Sequence, residues 1–415
     1  MKIKTVKFSI NGLAYFVFSI LVLTDKFWGY EINSNYKYVI ALPWVMWFLI
    51  TIYKKQNEKA FCCRKIFIVY AFPILIMFFY ALLIWLFKSD VRLDNYFKLF
   101  RTVIKIFIAW GYVCAGYYKF KEKSIDILFA AACASYFFGS VICLLKENGL
   151  SGFTLYVRSL INSGYSDADK IMEVHGLTFA AGIFALYYIY YENKNVKNHY
   201  LKIVLSVLLI FLGLKRIEIL ALIITGASSI ILVRRGKDIK YRSVFFMVIF
   251  LIISFTFLYV VDSGLLSILA TKYKINTMGR IGYYSFSKQY FRFSPSFLGT
   301  GYTFFSYVFS KLYESGYRIN GNLISASLHS DILVFYIENG FWLFIAWVVY
   351  TFNIQTRYIQ KKVGSLAAEA YLLVAVFMFI LYLTDNTFTY FDTEAISFLV
   401  PLVLSTKKTI KDIKK

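Results

Sequence analysis

Twelve apolar stretches separated by polar segments constrain the fold of this chain more than any other feature. A bilayer core about 30 Å thick needs roughly 20 apolar residues per crossing helix, and 59% of the 415 residues are hydrophobic. The pattern predicts an all-α polytopic membrane protein, with residues 1–415 in a single integral membrane domain. The predicted spans are about 8–24, 36–53, 66–87, 99–118, 125–145, 174–191, 203–214, 217–233, 243–261, 331–352, 369–384 and 394–405.

The distribution of Lys and Arg predicts the side of the membrane on which each loop lies. Both residues are dense in the N-terminal segment MKIKTVK, in alternate loops such as RRGKDIKYR, and in the tail TKKTIKDIKK. Because basic residues favour the cytoplasmic side, both termini are expected in the cytoplasm. The net charge of +23 is then a topology signal, and nucleic acid is not expected as a partner.

Two long loops are expected on the external side. They are 146–173 and 262–330, and the second precedes the tenth span. Aromatic and basic runs such as YYSFSKQYFRF in the second loop predict short amphipathic helices lying on the membrane. Neither loop contains cysteine, and the chain has no CxxC or His/Cys cluster, so neither a disulfide framework nor a metal is expected.

Lys215 and Arg216 interrupt the long apolar run 203–233 at GLKRIE. At about 1.5 Å per residue this run is too long for one straight crossing. A single tilted helix would bury both charges in the membrane, which is unfavourable. We therefore favour two shorter helices that meet at the external side, with Lys215 and Arg216 at the turn. The alternative role for Arg216 is a local one, snorkelling or pairing with Glu218.

The external loop 262–330 carries a second arginine and a glycine turn. Arg280 presents a planar fork suited to paired phosphate oxygens, although by itself it could also face lipid head groups. Gly299, Gly301 and Tyr302 belong to the turn FLGTGY, where glycines permit positive φ and close approach of another group.

His329 is the strongest candidate for catalysis. It lies where the polar loop meets the tenth span, and imidazole can accept a proton near neutral pH. Glu338 follows nine residues later on the opposite side of an ideal helix, so a direct pair with His329 is not expected. A base candidate and two fixed cations on one side indicate an enzyme acting on a phosphate-bearing, lipid-linked substrate.

Arg101 and Lys105 share one face of the fourth span, four residues apart. They could line the same polar cavity or contact a pyrophosphate. The alternative is that both snorkel to the external surface, which suits Arg101 better than Lys105.

Four motifs resemble the O-antigen polymerase and O-antigen ligase superfamily. In chain order they are KR in LGLKRIEILALIITGASSI, GR in NTMGRIGYY, the FLGTGY turn, and LHSDILVFYIENGFWLF. The resemblance spans about residues 170–355 and implies a GT-C-like fold with about twelve helices, both ends inside and a large periplasmic loop before the tenth helix. Against the ligase motif, His329, Ser330 and Gly340 match, but Leu343 stands where Gly, Thr or Tyr is expected.

The resemblance implies a metal-independent, inverting glycosyl transfer in the bacterial inner membrane, with no cofactor. The substrate would be an oligosaccharide on undecaprenyl pyrophosphate, and a chain-length regulator protein and membrane lipids would be further partners. Arg216 and Arg280 would hold the donor pyrophosphate, His329 would orient or deprotonate the acceptor hydroxyl, and Glu338 would support them. Lys215 and the FLGTGY residues Gly299, Gly301 and Tyr302 complete the predicted substrate site.

The favoured hypothesis is polymerisation of repeat units into O-antigen or capsular polysaccharide. The near alternative is the ligase, which transfers finished glycan to lipid A–core. A flippase for the same lipid-linked substrate is the alternative from another class. Transporters commonly show two related halves, and no such internal symmetry is visible in this sequence.

Overall fold

The computed structural model describes most of the chain, and α-helices make up most of that part, beside loops and two short ladders. The basic segment 1–7, the tail 406–415 and residues 276–279 of the NTMGR motif lie outside the described residues. The described ranges are 10–27, 30–33, 35–54, 58–88, 91–162, 167–213, 215–232, 239–273, 280–319, 322–323 and 327–405.

Nineteen α-helices occur within these ranges. They are α1 Ile10–Leu23, α2 Asn35–Lys54, α3 Glu58–Trp85, α4 Leu93–Phe120, α5 Lys123–Tyr136, α6 Ile142–Asn148, α7 Ser151–Asn162, α8 Asp167–Met172, α9 His175–Tyr190, α10 His199–Gly213, α11 Arg216–Leu232, α12 Ile239–Asp262, α13 Leu265–Lys272, α14 Arg280–Ser287, α15 Phe304–Glu314, α16 Asp331–Val349, α17 Thr356–Lys362, α18 Ser365–Thr384 and α19 Phe391–Leu404.

Short irregular elements complete the structure. π-Helical turns at Phe137–Val141 and Tyr350–Gln355 join α5 to α6 and α16 to α17, and a 3₁₀ turn at Lys288–Tyr290 follows α14. Two antiparallel ladders of two residues per strand pair Lys26–Phe27 (β1) with Tyr30–Glu31 (β2) and Arg318–Ile319 (β3) with Asn322–Leu323 (β4).

Each of the twelve predicted spans coincides with a helix. Seven helical segments in the described part are long and apolar enough to cross a membrane, which is typical of a helical membrane protein: Asn35–Lys54, Glu58–Trp85, Leu93–Phe120, Lys123–Asn148, Ile239–Asp262, Asp331–Lys362 and Ser365–Thr384. The other five predicted spans, at α1, α9, α10, α11 and α19, have 14 to 17 described residues. The count of twelve and the side assigned to each loop stay predictions.

The run 203–233 divides into two helices, as expected from its charged interruption. The first ends at Gly213 and the second begins at Arg216, while Leu214 lies outside the described residues. The prediction of two helices that meet at Lys215 and Arg216 is therefore confirmed.

The first of two compact units has its core in α9 and α19. The unit lies within Met1–Arg64, Phe107–Gly226 and Tyr390–Lys415. In α9 every residue from Gly176 to Tyr188 is buried, and all of α19 is buried. A helix that is apolar all round must be covered on every side; α10 and α19 pack on α9, and α1 packs on α5.

The second unit lies within Lys65–Ile106 and Ala227–Thr389. Its core is α18, buried over nearly its whole length, with α12 and α16 packed against it. The predicted external loop 262–330 folds here into the short helices α13, α14 and α15 and the β3–β4 ladder. The short helices confirm that part of the expectation for the loop, and their placement on a membrane surface stays a prediction.

Candidate functional site

His329 and Asp385 form the centre of the candidate site in the second unit. The Nδ1 atom of His329 lies 3.8 Å from Oδ1 of Asp385. This is longer than a hydrogen bond, but the carboxylate charge acts on the ring at that distance. The His329 side chain is 31% exposed and that of Asp385 only 3%. The Asp385 carboxylate is therefore buried, whereas the neighbouring His329 imidazole is partly exposed to solvent.

The backbone around His329 turns sharply into α16. His329 has a φ of 57°, a left-handed conformation uncommon for residues other than glycine. Ser330 is the N-cap of α16, and its Oγ accepts a hydrogen bond from the Leu333 amide at 3.3 Å. Ser330 directly follows His329, so the imidazole lies immediately before the first turn of α16.

Asp331 and Asp385 join the start of α16 to the end of α18. The Asp331 amide donates to the Asp385 carbonyl at 3.1 Å. In return, Oδ2 of Asp331 accepts the amides of Thr387 at 2.7 Å and Phe388 at 2.9 Å. The Asn386 amide donates to Oδ1 of Asp385 at 2.9 Å. These bonds satisfy the buried polar groups and fix Asp385 beside His329.

Helix α14 places two tyrosines and Arg280 at the same site. The Tyr283 ring is stacked on His329 with centroids 6.4 Å apart, and the Tyr284 hydroxyl donates to the His329 carbonyl at 3.2 Å. Arg280 is half-buried at the start of α14, three and four residues before the tyrosines and so on the same helix face. Arg280 therefore lies on the face of α14 whose tyrosines contact His329.

The Tyr284 hydroxyl also reports on the charges of this site. Burial raises the pKa of Tyr284 to about 12, the Arg280 charge opposes this rise, and the Asp385 carboxylate adds to it. Both charged groups therefore act on one hydroxyl, which stays protonated and able to donate at neutral pH.

Glu338 serves as an anchor for α15. Its side chain is buried; Oε1 accepts the Ser306 amide at 2.9 Å and the Ser306 hydroxyl at 2.7 Å, and Oε2 accepts the Thr303 amide at 2.8 Å. A carboxylate at a helix N-terminus satisfies free amides and complements the helix dipole. As expected, Glu338 does not pair with His329, whose neighbouring acid is Asp385.

The FLGTGY turn packs against a break in α16. Gly340 has a φ of 72° inside that helix. A side chain on Gly299 would lie 2.5 Å from the Gly340 nitrogen, and one on Gly301 would lie 2.2 Å from Nε1 of Trp85. The amides of Thr300 and Gly301 already donate within the protein, to the carbonyls of Ile337 and Glu338.

These contacts give the two glycines a packing role. Tyr302, in the same turn, is buried. Phosphate binding by this turn stays a prediction.

The predicted residues Lys215 and Arg216 lie in the first unit. Lys215 Nζ forms an ion pair with Glu173 at 2.6 Å, and His175 lies 3.7 Å from the same carboxylate oxygen. Burial raises the pKa of Glu173, but Lys215 and His175 lower it by more, so the net shift is downward. Lys215 therefore already has an anionic partner.

Arg216 is exposed at the start of α11. The local alternative, a pair with Glu218, is not seen: that buried carboxylate accepts the Gly182 amide at 3.1 Å. Binding of one ligand by Arg216, Arg280 and His329 together stays a prediction.

Sequence reasoning missed Asp385 and both tyrosines. Asp385 had a signal, because LTDNTF places an acid directly after the apolar helix α18, the same argument that selected His329. No sequence signal distinguished Tyr283 and Tyr284, since they are two of 35 tyrosines. Comparisons with family models, with curated proteins and with solved structures gave no match.

Proposed function

We propose that this protein is a membrane glycosyltransferase that polymerises oligosaccharide repeat units, carried on undecaprenyl pyrophosphate, into a bacterial surface polysaccharide. The active site would face the periplasm from the inner membrane. The products fitting this proposal are O-antigen and capsular polysaccharide.

The observation that carries the proposal is the accessible His329 imidazole with the buried Asp385 behind it. The carboxylate lies on the Nδ1 side of the ring, and in this proposal Nε2 takes the proton of a substrate hydroxyl. Imidazole oriented by a carboxylate is a common general base. Arg280 on the adjoining helix face supplies a permanent positive charge for a phosphate-bearing leaving group.

The reaction would proceed as one displacement. Nε2 of His329 takes the proton of the acceptor sugar hydroxyl while that oxygen attacks the anomeric carbon of the donor. The bond from this carbon to the diphosphate oxygen breaks, and its electron pair leaves with the diphosphate. Arg280 offsets the charge on the leaving group. Attack opposite the leaving group inverts the anomeric configuration.

The test is the length of glycan made in cells. Deletion of the gene is expected to remove long glycan bands on a gel and leave single-repeat forms. His329→Ala should do the same while the protein still inserts at the wild-type level. His199→Gln is the matched control, because His199 belongs to the first unit and pairs there with Glu192, and it should leave glycan length unchanged. Long glycan in the His329→Ala strain would overturn the proposal.

The ligase is the second candidate, and the match at His329, Ser330 and Gly340 favours it. A ligase would leave repeat-unit polymerisation intact and remove only transfer to lipid A–core. Deletion that preserves long, lipid-carrier-bound glycan would therefore identify the ligase.

A further inference from the structure

Three basic residues form a row along α4 in the second unit. Lys98, Arg101 and Lys105 are spaced i, i+3 and i+7, which places them on one side of the helix. They lie roughly 8, 12 and 18 Å along the axis from the helix start. Because α4 is long and apolar enough to cross a membrane, cations at these positions call for an anionic partner or water.

Apolar side chains surround this row on the exposed surface. Phe97, Phe100 and Ile104 are 64%, 49% and 54% exposed, and Arg101 between them is also exposed. On a membrane-crossing helix such a surface is available to lipid chains. The face therefore combines an apolar surface for a hydrocarbon tail with a guanidinium for phosphate oxygens.

Lys98 and Arg101 are the two cations of the row nearest the start of α4. Lys98 Nζ donates to the carbonyl of Ser306 and the hydroxyl of Ser310, both at 2.9 Å and both uncharged. Across the described ranges, no ion pair includes Lys98 or Arg101. The nearby Glu338 carboxylate is occupied by α15. The row thus has positive charge that an external anion could match.

Contacts through α15 connect the row to the candidate catalytic site. Lys98 contacts α15 at Ser306, and Phe309 of α15 packs edge-on against Tyr283 with centroids 6.0 Å apart. Tyr283 in turn stacks on His329. The row is therefore in the same unit as His329 and is connected to it through α15 and α14.

The chemistry of polymerisation requires a second diphosphate site at a distance. The donor diphosphate must lie at the reacting carbon, beside His329 and Arg280. The acceptor reacts through a hydroxyl at the far end of its glycan, so its own diphosphate must lie about one repeat unit away. We infer that Lys98, Arg101 and Lys105 bind the diphosphate of the acceptor lipid. This inference rests on the proposed polymerase function.

The test counts lipids bound to the purified full-length protein. Undecaprenyl pyrophosphate is added in detergent, and native mass spectrometry measures stoichiometry and affinity. Wild type should bind two lipids, and Arg101→Gln/Lys105→Gln should bind one, with the second weakened about tenfold or more. Arg280→Gln should lose the other lipid. The control Lys272→Gln/Lys311→Gln removes two exposed lysines of the same unit and should still bind two.

Other outcomes separate this inference from the proposed function. Two lipids bound by Arg101→Gln/Lys105→Gln with unchanged affinity would exclude the α4 site. Equal binding of phosphatidylglycerol at the row would reduce it to an ordinary head-group contact and also overturn the inference. One lipid in wild type, lost only in Arg280→Gln, would overturn the second site and leave the proposed function standing. No lipid in wild type would overturn both.

Discussion

His329 combines an unfavourable backbone conformation with a supporting set of contacts. A residue other than glycine with φ near +57° is less stable by about 1–2 kcal/mol than in a right-handed conformation. The Tyr284 hydroxyl on its carbonyl and the Ser330 cap after it hold this conformation. Such strained residues occur frequently at functional sites, which agrees with the proposed role of the imidazole.

Asp385→Asn tests the acid of the proposed pair. The amide keeps the shape of the side chain but loses the charge beside His329, so we expect polymer synthesis to slow roughly tenfold to 100-fold. Turnover should fall while the concentration of lipid-linked substrate needed for half-maximal rate stays the same. Asp262→Asn is the control, since among the described residues Asp262 accepts the Phe293 amide at 3.3 Å and makes no ion pair with His329. Full activity of Asp385→Asn would remove Asp385 from the mechanism.

The Glu173–Lys215 pair predicts a pH effect on stability. Because the folded pKa of Glu173 lies below its ordinary value of 4.5, the ionised carboxylate stabilises the folded state above that pH. This contribution is lost as the pH falls from 4.5 through the lowered folded value. Thermal unfolding in detergent should show Glu173→Gln less stable than wild type at pH 7, with the difference shrinking as the pH falls below 4.5. A difference that persists at low pH would mean that ionisation of Glu173 is irrelevant.

At the scale of elements, the break in α16 depends on glycine for two separate reasons. Gly340 has positive φ, and a side chain there would lie 2.3 Å from the Leu298 carbonyl carbon. Gly316 has the same φ of 72° with no atom within 4 Å of a side chain built there. Comparing substitutions at Gly316 and Gly340 therefore separates the effect of backbone strain from that of steric exclusion.

Alanine substitution at these two glycines should have unequal effects. Gly316→Ala is expected to lower the free energy of unfolding by about 1 kcal/mol through backbone strain alone. Gly340→Ala should lower it by at least about 3 kcal/mol, because the FLGTGY turn must also move. Denaturant unfolding of the purified proteins measures both. Equal losses would show that the close approach of the turn contributes nothing.

The helices could be predicted from the sequence because a long apolar run is a strong signal, and every predicted span coincides with a helix. The break at Gly340 could not be predicted, because it depends on a tertiary contact with the backbone of Leu298 and Gly299. Glu338 shows the same limit. The sequence indicates that Glu338 does not pair with His329, but only the fold reveals that its partners are amides at the start of α15.

For the whole molecule, the positive-inside pattern predicts a defined orientation that labelling can test. Single cysteines at Ser315, in the large predicted external loop, and at Asn193, in a predicted cytoplasmic loop, are both at exposed positions. In intact cells, with the native cysteines replaced, a membrane-impermeant maleimide that has crossed the outer membrane should label Ser315→Cys only. Asn193→Cys should react only after the inner membrane is opened. The reverse result would invert the topology and place His329 in the cytoplasm.

The contact between Gly299 and Gly340 has a consequence for how this protein can vary. Each residue excludes a side chain on the other, although the long stretch of chain between them includes all of α15. A mutation that enlarges either position therefore cannot be rescued by enlarging its neighbour, only by remodelling the turn. Among descendants of this sequence, the two positions should be inherited as a unit while the loop between them drifts.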